Sequence, residues 1–437
     1  MIDNRGRPAI LSGKNHREPA MDLFTPDRRA VLAGAGISLL AGPALARAAA
    51  LGRAAGPVKI TAIETFDILM PPGPRPYVPT YRGMTGGRSN VVRITTDAGV
   101  AGHSFLGTGA DEAPAAAPVL TGQDLFAVEA HLKKGLLGWP SVEEAMWDAI
   151  GKIAGEPLCR LMGGARLQTV PVYVTYVWGG KEDDVPAMAQ ADQARIVQQA
   201  GLTAIKIQIM RKDYRDDVAA VAQMLAATGG GFRVMVDRTA GAVGLWSYDQ
   251  ALAAARALAD VGCYWLEEPL ARDDYDGPAR LRQAVPNLII TGGEAWRGLT
   301  PFRKGLEHGT YGIMQPEMRV CAGPLTLRKI GALCEAFDIP IAPHAATGLA
   351  LAGRLQVSAA MGSVYQEVGT IQAGNLPWQV WEPYRPILHG QSAFTFRDGE
   401  IVVPQYPGLG LNLDEKALMK YRVAGFEKRG INPQAHN

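Results

Sequence analysis

Seven short apolar runs between residues 204 and 368 each end on a polar or ionisable side chain. These are Gln208, Asp237, Glu267, Glu294, Glu317, His344 and Glu367, at separations of 29, 30, 27, 23, 27 and 23 residues. One strand, one amphipathic helix and their connections take about that length, so the repeat is that of a β/α unit. With TVPVYVT (residues 169–175) ahead of them, the runs AIKIQI, RVMVD, YWLEEP, LIITGGE, YGIMQPE, IPIAPH and VYQEV make eight candidate parallel strands. Eight fit a closed barrel, whereas a dinucleotide-binding sheet would need a glycine fingerprint that the sequence does not show. In a parallel barrel all strands open their carboxyl ends on one rim, which gathers these seven side chains at one mouth.

A chain of 437 residues, 47% apolar, is long enough for a second packed core. Residues 57–165 supply it. VKITAIETFDILM and SNVVRITTDAGVAGHSFLG alternate as paired antiparallel strands do, with Asp97 to Gly99 as the tight turn. Three helical stretches follow, the last reading as SVEEAMWDAIGKIAGEPLCRLMGG and closing on a glycine pair. The expected organisation is an α+β cap over 57–165, a barrel over 166–385, and a C-terminal segment, 386–437, that returns to the cap.

Residues 1–48 differ in kind. Arg28 and Arg29 precede a Gly/Ala-rich apolar stretch that closes on ARA (residues 46–48), the pattern of a twin-arginine secretory signal with an upstream tail. The stretch is short for a membrane span of ~20 residues, so cleavage near Ala48, a bacterial periplasm and no stable membrane anchor are expected. Met21 is a second candidate start. Lys plus Arg is 44 against 42 Asp plus Glu, with no dense basic stripe, which argues against a nucleic-acid partner. RKDYRDD (residues 211–217) alternates in sign and reads as a loop or helix start. Cys159, Cys263, Cys321 and Cys334 lie far apart without zinc spacing and are expected to be buried free thiols.

A single acid after a strand is most simply a helix N-cap. Three in succession are another matter: Asp237, Glu267 and Glu294 on one rim would repel one another unless a cation neutralised them. An all-oxygen site selects a hard divalent ion, magnesium before manganese.

In this order, MVDRT, WLEEPL, TGGEAW, MQPE, IPIAPH and YQEVG resemble the mandelate racemase and muconate-lactonizing branch of the enolase superfamily. VVRITTDAGVAG in the cap and PGLGLNLDE (residues 407–415) extend the likeness over essentially the whole chain after the signal. The resemblance implies an α/β fold with a modified (β/α)7β TIM-type barrel, an N-terminal α+β capping domain, and Mg2+ (or Mn2+) on Asp237, Glu267 and Glu294. Glu268 would then stand just behind the metal ligands. The implied chemistry is removal of the proton next to a carboxylate, giving an enediolate; a histidine or lysine base with magnesium is an established pattern for this superfamily. His344 matches the base and Glu317, where Asp is usual, its orienting partner. Glu367 matches a group that contacts the substrate carboxylate.

Racemases of this branch carry KxK on the second barrel strand, the second lysine acting as a base opposite the histidine. Here Lys206 matches the first, and Gln208 replaces the second. An amide takes no proton, so one-base chemistry on the His344 face is expected, and dehydration of a sugar acid to a 2-keto acid fits it best. Thr239, where Asn or His is common, removes a further acid. The cap loop 70–84, with Arg75, Tyr77, Tyr81 and Arg82, and Tyr176 and Trp178 after the first barrel strand are the candidate substrate-binding residues. An epimerase or cycloisomerase on a related carboxylate, and a noncatalytic periplasmic sugar-acid binder, are the alternative readings. A homo-oligomer is expected from the look-alikes.

Overall fold

The structure is a computed structural model that describes residues 56–71, 88–176, 187–209, 211–239, 244–370, 376–389 and 392–423. The expected signal segment and the candidate residues Arg75, Tyr77, Tyr81, Arg82 and Trp178 lie outside the described residues. Among the described residues, no helix is long and apolar enough to cross a membrane. The four cysteines are buried and unpaired with one another.

The cap begins with β1 (Ile60–Leu69) and β2 (Arg88–Thr96), antiparallel in one register from Ala62 opposite Thr95 to Leu69 opposite Arg88, with a shift between Ile60 and Ala62. Gly99, with φ +73°, closes the turn into β3 (Ala101–Ser104), its N–H bonded to the Thr96 carbonyl at 3.0 Å. Helices α1 (Gly109–Leu120) and α2 (Pro140–Ala154) pack their apolar faces on this sheet. Contact is close: a Cβ on Gly102 would lie 2.1 Å from the Ala145 carbonyl oxygen. The stretch read as one helix from Ser141 to Gly164 is broken. α2 stops at Gly155, which takes φ +71°, and helix resumes only over Leu158–Leu161 after Pro157, which has no N–H to give.

The barrel runs β4 (Thr169–Tyr176), α3 (Ala187–Gln199), β5 (Ala204–Gln208), α4 (Tyr214–Thr228), β6 (Arg233–Asp237), α5 (Tyr248–Asp260), β7 (Trp265–Glu267), α6 (Asp276–Ala284), β8 (Ile289–Gly292), α7 (Thr300–His308), β9 (Ile313–Met314), α8 (Pro324–Ala336), α9 (Leu351–Met361) and β10 (Gln366–Gly369). β4 to β9 pair in parallel in sequence order, and β10 closes back on β4. The IPIAPH run is a correction to the expected eight strands, since Pro340 and Pro343 remove two donors and leave bridges only. Ala342 N still reaches the Met314 carbonyl (2.9 Å) on one side, and the Ile341 carbonyl accepts from Val364 N (3.0 Å) on the other. That segment fills the seventh place of a (β/α)7β ring.

Alternation along the strands decides what faces inward. Tyr173, Ala204, Met235, Trp265, Ile313, Ala342 and Tyr365 form an interior plug of their own, separate from the main core. One inward step further along these strands come Thr175, Lys206, Asp237, Glu267, Gln315, His344 and Glu367, so a polar layer lies on an apolar floor. After the barrel, β11 (Thr395–Arg397) and β12 (Glu400–Val402) form a hairpin against β4, and α10 (Glu415–Lys420) is capped by the Asp414 side chain. β13 (Arg422–Val423) then pairs with β1 in the cap sheet.

Candidate active site

Lys206 is wholly buried, and its ammonium sets the centre of the mouth. It donates to both oxygens of Glu267 at 2.8 Å, lies 3.1 Å from Glu367 Oε1, and stands 3.7 Å from Asp237 Oδ2. Burial works against its charge, but Glu267 and Glu367 outweigh it and hold the lysine well above its usual value. Glu267 also accepts from Gln315 Nε2 (2.7 Å). Glu367 is held by the Tyr173 hydroxyl (3.0 Å) and the Thr175 hydroxyl.

On the other side of the mouth His344 lies between two carboxylates. Its Nδ1 is 2.9 Å from Glu317 Oε2 and its Nε2 is 2.8 Å from Glu294 Oε2. Burial alone would lower the imidazole, yet Glu294 and Glu367 hold it well above the usual histidine value. Glu317 is drawn down to about 2 by Arg354 and His344 against the upward push of its burial. Arg272 joins Glu294 Oε1 to Glu268 Oε2, both at 2.7 Å. Burial, with the nearby charge of Glu294, pushes Glu268 up to about 8 in spite of that arginine.

Gln208 donates to the Thr239 hydroxyl at 3.3 Å, and its buried Oε1 has no hydrogen-bond partner. Thr239 and Glu268, each just after a strand-end carboxylate, hold positive φ values of 47° and 43°. Side chains with a Cβ resist that region, and such strain collects at functional sites.

The three expected metal ligands thus share one mouth, but each is turned onto a cation or donor of the protein itself. Glu267 faces Lys206 and Gln315, Glu294 faces Arg272 and His344, and Asp237 Oδ1 accepts from Thr239 N (2.6 Å). Among the described residues, no three acidic, histidine or cysteine side chains converge on a common point as they would around a bound ion. The donor set nevertheless fits a hard cation. Among the described residues, six carboxyl groups (Asp237, Glu267, Glu268, Glu294, Glu317 and Glu367) face four permanent positive charges in ion pairs, Lys206, Arg272, Arg354 and, at 4.0 Å, Arg319, and burial together with mutual repulsion raises Asp237 and Glu267. The mouth is short of positive charge.

Tyr176 corrects one expectation. It stands in register with Ile207, on the side of the sheet opposite Thr175 and Lys206, and is wholly buried among apolar side chains. A side chain there packs the barrel wall. Conversely, Tyr173, Thr175 and Gln315 were legible from strand alternation, as each lies two residues from an inward neighbour. Arg272 and Arg354 lie outside the repeat, and nothing local marks them.

The Enolase C-terminal domain-like family matches residues 188–417. Among curated relatives, the D-galactarolactone cycloisomerase of Agrobacterium fabrum is 28% identical over 284 residues, 64% of this chain and 73% of the relative. The 3,6-anhydro-alpha-L-galactonate cycloisomerase of Streptomyces coelicolor is 30% identical over 65% of this chain and 71% of its own length. The arabinonate dehydratase of Saccharolobus solfataricus is 25% identical, covering 66% and 72%. The crystal structure of L-talarate dehydratase from Polaromonas, complexed with Mg and L-glucarate, is 22% identical and overlays with a TM-score of 0.66 across 84% of this chain and 98% of that one. With a family match over more than half its length and a capped barrel of the same fold, the chain belongs to the enolase superfamily, in its mandelate racemase and muconate-lactonizing branch.

Proposed function

We propose that the protein removes the proton α to the carboxylate of a sugar acid and then expels a β-hydroxyl as water, leaving a 2-keto acid. The observation that carries this is His344. Glu317 holds its Nδ1, so its Nε2 faces the ring of carboxylates, while Gln208 stands where a second base would be needed. His344 acts from its neutral state, with Nε2 released from Glu294: it takes the α-proton as the C–H bond breaks, and the electron pair moves into the carboxylate. Lys206 keeps its charge beside the developing dianion. The imidazolium returns its proton to the departing β-oxygen, the C–O bond breaks, and the enol formed tautomerises to the keto acid. Asp237, Glu267 and Glu294 would hold magnesium, or manganese, whose charge would stabilise the enediolate.

Cycloisomerisation is the second reading, since two of the relatives carry that activity by name. Incubating aldonic and aldaric acids and their lactones in heavy water separates the readings. A dehydratase gives a keto acid, a cycloisomerase an isomer with no water lost, and an epimerase a deuterated isomer of the substrate. Turnover that survived in His344→Asn would sink all three. Twin-arginine export to a periplasm belongs to the same proposal and rests on residues 28–48; a reporter fused to residues 1–56 tests it.

A further inference from the structure

The pairing at Glu317 continues one step deeper into the protein. Arg354, on α9, is 2% exposed; its guanidinium donates to Glu317 Oε1 and, through Nη1, to the Ala350 carbonyl at 2.9 Å. Glu317 Oε1 also accepts from Arg319 N (3.0 Å), leaving Oε2 to His344 Nδ1 (2.9 Å). Each carboxylate oxygen has its own donors, so the group cannot rotate without breaking a contact. A glutamate side chain is long and rotatable, and holding it at one oxygen alone would leave the carboxylate free to swing, so a second anchor is needed. The cap comes close to the same helix. Glu144 of α2 lies against α9, where a Cβ on Gly353 would come within 2.1 Å of its Oε1, and it shares the electrostatic field of Arg354.

We propose that Arg354 is a positioning residue that locks the Glu317 carboxylate, and through it fixes His344 with its Nδ1–H on Glu317 and its Nε2 turned to the mouth. It touches no substrate and works only through Glu317. The kinetic meaning of this rests on the proton abstraction proposed above; the structural claim does not.

The test uses the full-length protein labelled with 15N-histidine, which has seven histidines and hence a sparse spectrum. The hydrogen-bonded imidazole N–H of His344 is identified as the downfield signal missing from His344→Asn. It is expected to vanish or move upfield in Arg354→Met and to move part of the way in Arg354→Lys, which keeps the charge with a single anchoring group. An unchanged signal in folded Arg354→Met overturns the proposal. If that variant fails to fold, an unchanged signal in Arg354→Lys does so.

With a turned-over sugar acid in hand, Arg354→Met is expected to lower kcat by about 10- to 100-fold, with KM within about threefold, and Arg354→Lys to recover part of the loss. In a Glu317→Ala background the same change should cost less than about twofold, because the pair acts as a unit. Effects that multiply would show a merely structural role. Should no sugar acid be turned over, the functional proposal fails while the spectrum still decides the role of Arg354.

Discussion

Lys206 donates to both oxygens of Glu267 at 2.8 Å, inside a barrel where neither side chain reaches water. The pair belongs to the polar layer that follows the plug of Tyr173, Met235 and Trp265 along the strands. Removing one partner of a buried pair costs more than the pair contributes, since the other charge is left alone.

Lys206→Met should therefore destabilise the protein by ~3–5 kcal/mol at neutral pH. Urea unfolding in the presence of a chelator measures it. If the carboxylates accept a divalent ion, added Mg2+ should recover more stability in this variant than in wild type; equal gains would count against a metal among these groups.

Chelation should abolish turnover, with Mg2+ restoring it and Mn2+ doing so at least in part. Glu294→Gln keeps the shape but halves what the outermost carboxylate offers. Calorimetric titration should show its Mg2+ affinity reduced by roughly 10-fold or more. An unchanged affinity would exclude Glu294 as a ligand.

Glu143, on α2, accepts from the N–H of Leu325 (2.7 Å) and from Trp147 (3.1 Å), which ties the cap to the start of α8. Burial lifts its carboxyl to about 8, against about 4.3 for a free glutamate. Below the free value both folded and unfolded chains hold the proton, and the stabilisation is whole. As pH rises through about 8 the folded chain must ionise a buried group, and the stabilisation is lost. Glu144, raised to about 7, acts in the same direction. Thermal melts should show Tm falling between pH 6 and pH 8.5, and Glu143→Gln should flatten that fall. A Tm that rose over this range, or an identical slope in the variant, would refute the assignment.

On the proposed one-base mechanism, Gln208→Lys would add a base on the face opposite His344. Wild type in heavy water should exchange the α-hydrogen of one stereoisomer only, and the variant should begin to exchange the other. Proton NMR of recovered substrate reports both; exchange of both isomers by wild type would contradict one-base chemistry.

The ring of strand-end residues was legible because strand polarity and unit length repeat together, so seven positions place one another. Its wiring was not. Arg354 is the one charged residue in the helix LAGRLQVSAAM, and its side chain reaches from α9 to Glu317, a relation that no local pattern encodes. IPIAPH read as a strand by its apolar alternation, but its prolines cost the ladder two donors, and hydrogen-bond supply overrode propensity. Tyr176 misled for a simpler reason. A one-residue step along β4 carries a side chain from the mouth to the wall.

The cap sheet joins strands from opposite ends of the described chain, with Ile68 opposite Arg422. A ribosome must deliver residue 422 before that edge can pair, so the cap cannot be completed during synthesis while the barrel is still emerging. Assembly of this protein is accordingly a late event, and an incomplete chain would leave the β1 edge open to pairing with other molecules.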